Sequence, residues 1–213
     1  MNYIHYTQED ITHLDRIHRL KLINSATGIK PANLIGTTDD NGNTNLAVFS
    51  SVVHLGSNPP LLGFIARPQT KDVGHTLQNI TKSGSYSINH VHPEFTEQAH
   101  YTSAKFEKSD SEFDRCGLTP EYLAGFEAPF VQESQLKIGL NLREIIPIPL
   151  NGTTLVIGEI VHLIIPETAH DEGDLDLELS RSVGISGLNS YYTLKKIASY
   201  PYVRLSEIPK FGQ

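Results

Sequence analysis

The 213-residue chain has a single cysteine, Cys116, so it cannot close an intramolecular disulfide, and one thiol fits a reducing compartment. Long apolar runs are missing too. No stretch approaches the roughly 20 residues that a membrane-spanning helix needs, and the opening MNYIHYTQED lacks the apolar core of a signal peptide. These absences lead to the expectation of a soluble, cytoplasmic protein. Positive charge is scarce and scattered. Seventeen Lys and Arg face 24 Asp and Glu, for a formal charge of −7, and no run of basic residues stands out. An acidic surface repels phosphodiester backbones, so neither nucleic acid nor membrane is expected as a partner. A local basic site for a single phosphate is compatible with that balance. There is no G-x-S-x-G elbow, no Walker-type loop and no Rossmann glycine fingerprint, which disfavours a classical dinucleotide fold.

What is present is ordinary globular composition: 38% apolar residues, 19% charged, 16 Gly and 12 Pro. A chain of this length can bury most of its apolar surface. No repeat, low-complexity tract or linker divides it, so one domain over 1–213 is expected, with a core of about 20–195. Thr7 with Asp10 resembles a capping pair ahead of a helix running to about Leu22, with Ile11, Leu14 and Ile17 at roughly helical spacing. Strand candidates are 32–37, then Thr44 to about Val53, joined by a turn at Asn41-Gly42. Asn58-Pro59-Pro60 breaks the next connection, and 61–66 reads as a buried strand. A short helix over 75–81 closes at Gly84, and 85–91 alternates like a half-buried strand. Short helical pieces are expected around 94–100 and Pro120–Ala124. A second hairpin pairs 135–148 with 153–165 through Asn151-Gly152. The acidic segment 167–180 reads as a solvated loop or helix. Many strands joined by hairpins favour an antiparallel barrel or sandwich over a doubly wound sheet.

Several residues could carry chemistry. His90 and His92 stand at strand spacing, where two imidazoles could share a zinc or iron ion in a metal-dependent hydrolase, but no spaced third ligand stands out. Cys116 beside Arg115 could be a nucleophile only with a lowered pKa and a nearby base. No side chain is singled out as an acid or base. The segment 50–79 is richer. Ser50 and Ser51 end a strand, Ser57-Asn58 precedes the double proline, and Arg67, Thr70, Lys71 and Asp72 arrive just before a helix. Hydroxyls, an Arg fork and a Lys ahead of a helix N-terminus suit a phosphate monoester.

The order of these pieces resembles the flavin reductase-like family, which includes flavoredoxin. The elements are Asp39–Gly42, Asn45-Leu46-Ala47-Val48-Phe49-Ser50, Ser57-Asn58-Pro59-Pro60, Arg67, Lys71-Asp72 and Asn79-Ile80, followed by Ser111-Glu112-Phe113-Asp114 with Gly117-Leu118 and by Pro129–Ser134. The resemblance implies a mainly β, antiparallel, Greek-key-like split β-barrel with short peripheral helices, forming a homodimer that binds FMN near the subunit interface. It implies that the flavin lies along residues 47–58, with its phosphate held by Ser50, Ser51, Arg67 and Lys71, and with Ser57 and Asn58 as further cofactor contacts. The activity implied is an FMN-dependent oxidoreductase taking a hydride from NADH or NADPH and passing electrons to flavin, a protein partner or another acceptor; an FMN carrier or sensor without turnover is the alternative. The chain departs from the family at Ser51-Val52-Val53-His54, where His54 replaces a usually small residue near the flavin edge, at Val73 in place of Thr, and at Gly187–Tyr192.

Overall fold

The computed structural model describes residues 1–68, 74–171 and 173–210. Two short helices open the chain, α1 (Gln8–His13) and α2 (Arg16–Ala26). The expected capping box forms, with Thr7 and Asp10 exchanging hydrogen bonds. The expected single helix is instead broken at Leu14, because the Asp15 carboxylate caps a new helix by accepting from the N–H groups of Ile17 and His18, both at 3.0 Å.

Strands follow in chain order: β1 (Lys30–Pro31), β2 (Asn33–Thr38), β3 (Thr44–Phe49), β4 (Val53–Ser57) and β5 (Pro60–Ala66). Helix α3 (His75–Ser83) ends at Gly84 and leads into β6 (Ser85–His90). Helices α4 (Thr96–Tyr101) and α5 (Glu112–Cys116) precede β7 (Pro120–Leu123), β8 (Phe126–Val131), β9 (Lys137–Ile148) and β10 (Thr153–Ile164). The acidic segment holds a 3-10 turn (Glu167–Ala169) and the two-residue strands β11 (His170–Asp171) and β12 (Asp174–Leu175), with β13 (Val183–Ser186) and β14 (Ser190–Thr193) beyond it.

Seven strands form one antiparallel sheet in the order β3-β2-β6-β9-β10-β5-β4. Its two outermost strands, β3 and β4, are neighbours in sequence, separated only by residues 50–52. Laid flat, six interstrand spacings of about 4.8 Å would hold those edges roughly 29 Å apart. The four steps from Phe49 to Val53 reach about 14 Å at most. The sheet is therefore forced to curl until its edges approach, which is the split barrel expected from the sequence.

Side chains alternate across this curl. Ile35, Phe64, Tyr86, Ile88, Ile138, Leu140 and Val156 fill the inside, joined by Leu77 and Ile80 of α3. The opposite face of β2 and β3 carries Leu34 and Leu46 into a second core with Val91, Phe95, Phe113, Val131 and Ile185. Helix α3 closes the barrel over a buried polar network. Asn45 Nδ2 donates to Thr37 Oγ1 (3.3 Å) and Thr76 Oγ1 (3.1 Å), and Asn79 Nδ2 donates to Thr37 Oγ1 (3.1 Å).

The helical piece expected at Pro120–Ala124 is corrected to a strand. β7 pairs with β8 across a turn at Gly125, whose φ of 81° suits glycine, and Glu121 forms an ion pair with the buried Lys137 of β9. β8 also presses on the barrel wall: Ser87 Oγ donates to the Pro129 carbonyl at 2.5 Å, directly above Gly36. A Cβ at Gly36 would lie 2.3 Å from that carbonyl oxygen. Gly36→Ala is therefore expected to destabilise the fold by about 3 kcal/mol, the upper end for overpacking, measured as a lowered urea midpoint with an unchanged slope.

Candidate functional site

The stretch that joins the two sheet edges is also where the phosphate-suited residues were expected. Ser51 stands two residues before β4 and in register with it: Val53 pairs with Gly63, and Ser51 meets Ile65. The Ser51 hydroxyl donates to the Ile65 carbonyl and accepts from the Ile65 N–H, both at 3.1 Å. A side chain thus continues the β4–β5 ladder where the backbone has turned away. Beneath this seam, Phe49 meets Phe64 edge-on at 5.0 Å, and Phe64 meets Tyr86 at 5.6 Å.

This register brings Ser50 and Ser51 level with the end of β5, two residues before Arg67. Arg67 is exposed and Ser50 is half-buried. Among the described residues neither makes a side-chain hydrogen bond or ion pair. Ser51 is differently engaged. Its only proton goes to Ile65, so in this arrangement its hydroxyl cannot donate to an anion. Ser57 and Asn58 sit at the exposed tip of the β4–β5 hairpin, where Ser57 pairs with Pro60. Five residues of strand, roughly 17 Å, separate that tip from Ile65. No single phosphate touches both ends, whereas an elongated molecule lying along the hairpin reaches each. Lys71, Thr70, Asp72 and Val73 lie outside the described residues. Helix α3 begins at His75 after the N-cap Gly74, with no side chain capping its first turn, which leaves its first N–H groups without helical partners. His54 is exposed on β4.

The two sheet edges are treated differently. The free edge of β3 is covered by the start of α5: the Glu112 carboxylate accepts from the Leu46 N–H at 2.9 Å, and the Ser111 and Thr44 hydroxyls meet at 2.6 Å. Burial raises the Glu112 carboxyl above its ordinary range, more than the bond from Leu46 lowers it. The free edge of β4 is open, with Val53, His54 and Leu55 exposed. It presents a row of backbone donors and acceptors.

Sequence reasoning missed Asn33. It lies opposite both Phe49 and His90 and is fully buried, and neither atom of its amide has a partner. Each orphan group costs about 1–3 kcal/mol. The available signal was a polar residue at an inward position of a strand whose next inward residue is Ile35.

The other candidates separate. His90 Nδ1 bonds the Ser182 hydroxyl at 2.9 Å, which in turn meets Ser180 at 2.9 Å. His92 lies past the strand end, accepts from the Glu94 N–H at 3.3 Å and stacks on Phe95. Among the described residues no three His, Cys, Asp or Glu gather at metal-binding distances. The Cys116 thiol is pushed up, first by burial and then by Glu112, against a smaller opposing effect of Arg115. That is the reverse of what a nucleophile needs.

The chain belongs to the flavin reductase-like family: the Flavin reductase like domain matches residues 29–182. A split-barrel protein of Shewanella frigidimarina NCIMB 400, described provisionally as a flavin reductase, is 49% identical and superposes with a TM-score of 0.90 over 94% of this chain and 100% of its own. The 2-nitrobenzoate 2-nitroreductase NbaA of Pseudomonas fluorescens is 22% identical, with a TM-score of 0.80 over 98% of this chain and 100% of that one. An FMN-binding protein of Thermus thermophilus, solved with 1-cyclohex-2-enone, is 16% identical, with a TM-score of 0.68 over 83% of this chain and 93% of its own.

Two outcomes are expected here. Ser51→Ala leaves the Ile65 N–H and carbonyl unpaired at the seam and lowers stability by about 1–3 kcal/mol, measured by denaturant titration, while Ser50→Ala leaves stability unchanged. His90 has its pKa lowered to about 4 by burial. Its folded value lies below its unfolded value of about 6.5, so its contribution is present above pH 6.5 and is lost as pH falls from there towards 4, by up to about 3 kcal/mol. Thermal melts between pH 7.5 and 4.5 should show a steeper fall for the wild type than for His90→Gln.

Proposed function

We propose that this chain binds FMN along the β4–β5 hairpin at the barrel seam and works as an oxidoreductase. It would take a hydride from NADH or NADPH and pass electrons to flavin or another small acceptor. Family membership supports the coarser part, a protein of flavin redox chemistry. The FMN of the Thermus thermophilus protein supports the choice of flavin. The observation that carries the reading is the Ser51–Ile65 register, which sets Ser50 beside the approach to Arg67 at one end of an open strand edge.

The residues present fit the group. A phosphate dianion is matched by a guanidinium fork, a hydroxyl with its proton free to donate, and the uncapped start of α3. A flavin ring carries alternating carbonyl and N–H groups on one edge, and the unpaired backbone of β4 offers the complementary row. Bound FMN supplies the hydride and electron chemistry itself. The chain is left to anchor the phosphate through Ser50 and Arg67, orient the ring along β4, and keep its far end near Ser57 and Asn58. Transfer between stacked rings needs proximity and orientation rather than an acid–base pair, which agrees with the exposed, unpaired surroundings of His54. The open β4 edge with Val53 and Leu55 exposed also supports an assembly of two copies, with the flavin between them.

The test is a titration of the purified protein with FMN and with riboflavin, which lacks the phosphate. Arg67→Ala is expected to raise the FMN dissociation constant about 10- to 100-fold, the worth of a hydrogen bond to a charged group, and to leave riboflavin binding unchanged. Equal losses for both ligands would remove Arg67 from the phosphate site, and a colourless protein that ignores FMN would remove the whole reading. Anaerobic NADH or NADPH should bleach the bound flavin's visible band; a flavin that stays yellow marks a carrier.

A further inference from the structure

The last described segment, like residues 1–31, holds no buried residue. β14 ends at Thr193, and Lys196 is clasped to the body: its N–H donates to Glu178 Oε2 at 2.9 Å and its ammonium meets Asp176 Oδ2 at 3.2 Å. Every residue from Lys195 to Lys210 is exposed. Beyond Lys196 the described hydrogen bonds of this segment are internal, between Arg204 and Glu207.

Its composition is not that of a solvated tail. Ile197, Tyr200, Tyr202 and Leu205 are 98%, 85%, 89% and 88% exposed, and Val203 and Ile208 are exposed as well. Segments that stay in water are poor in such groups. The chain as a whole has 13758 Å² of accessible surface, whereas a compact monomer of 23.6 kDa shows roughly 9,800 Å². The excess, roughly 4,000 Å² in one chain and shared between both chain ends, is more than the roughly 1,000–2,500 Å² that each copy of an obligate homodimer buries.

Charge points to the partner. From Lys195 to Gln213 there are four basic residues and one acidic, a net +3, so the remainder of the chain carries −10. A basic, apolar arm on an acidic body is complementary to another body of the same kind, and the sixteen residues from Lys195 to Lys210 reach roughly 50 Å when extended.

We propose that residues 197–210 form an exchanged arm that lies across a second copy of this chain, each copy covering the other as two-fold symmetry requires. This rests on the two-copy assembly proposed above and names its clasp. The salt bridge from Lys196 to Asp176 holds the root of the arm, and the Tyr and aliphatic groups beyond it supply the buried contacts.

The experiment uses the full chain and a variant, Ile197→Asp with Tyr200→Asp, Tyr202→Asp and Leu205→Asp, in sedimentation velocity across a concentration series. The wild type is expected at twice its chain mass, with the Arg204–Leu205 bond resistant to trypsin. The variant is expected to show a dissociation constant raised at least about 100-fold, trypsin cleavage at Arg204, and an unchanged far-UV circular dichroism spectrum, because each altered side chain is at least 85% exposed in its own chain. A variant that dimerises as tightly as the wild type overturns the arm and leaves the two-copy assembly standing. A monomeric wild type overturns both. Protection of Arg204 only on adding phosphatidylserine–phosphatidylcholine vesicles would overturn the exchange and assign the arm to a membrane surface.

Discussion

Three residues, Ser50 to Val52, connect the two edges of a seven-stranded sheet, and the rest of the structure follows from that short tether. It forces the sheet to curl. The curl creates an inside, which Phe64, Tyr86, Ile88 and Leu140 fill at zero exposure, and it leaves an end that α3 must stopper with Leu77 and Ile80. The tether itself cannot be regular, since it must leave one ladder and join another. At that point the Ser51 hydroxyl stands in for a backbone pair. The seam is therefore the place where backbone polar groups are available to something other than the sheet, which is why the fold and the candidate site share the same few residues.

Much of the fold was legible because hairpins announce themselves locally. Asn41-Gly42 and Asn151-Gly152 mark turns whose flanking strands alternate, and both hairpins form with the expected partners. The split at Leu14 was hidden because the apolar spacing of Ile11, Leu14 and Ile17 continues across it; only the capping chemistry of Asp15 divides the helix. The strand over 120–123 was misread because Pro-Glu-Tyr-Leu-Ala has no strand alternation. Its pairing comes from β8 and from the distant Lys137, neither of which a local window contains. β4 was missed because the expected strand ran from Thr44 to about Val53, where β4 only begins; nothing in Val48 to Val53 signals that the chain changes edges.

Of the candidate site, the sequence displayed the residue types and not their arrangement. Hydroxyls and an Arg near a helix start were visible as a phosphate-suited set, and the structure brings Ser50 and the approach to Arg67 together. It also divides the set. Ser51 is held by Ile65, and Ser57 and Asn58 are carried to the far tip of the hairpin. Sequence spacing cannot reveal such a division, because a hairpin folds neighbours apart and distant residues together. Asn33 was out of reach for a different reason: a buried amide is recognised by the partners it lacks, and those are known only once the surroundings are.

The contrast between the two sheet edges carries the last step. An exposed strand edge invites unwanted pairing, so a protein covers it or uses it. Here the β3 edge is covered at a cost, since the carboxylate that accepts from Leu46 is buried and its carboxyl is pushed upward. A raised carboxyl favours the folded state while protonated and loses that contribution as pH rises through its folded value, so Glu112 works against stability at neutral pH even as it satisfies the edge. Among the described residues no comparable device covers the other edge. β4 presents exposed Val53 and Leu55 and an unpaired backbone, and that asymmetry is what a chain would retain if the second edge were kept for a ligand or for another copy of itself.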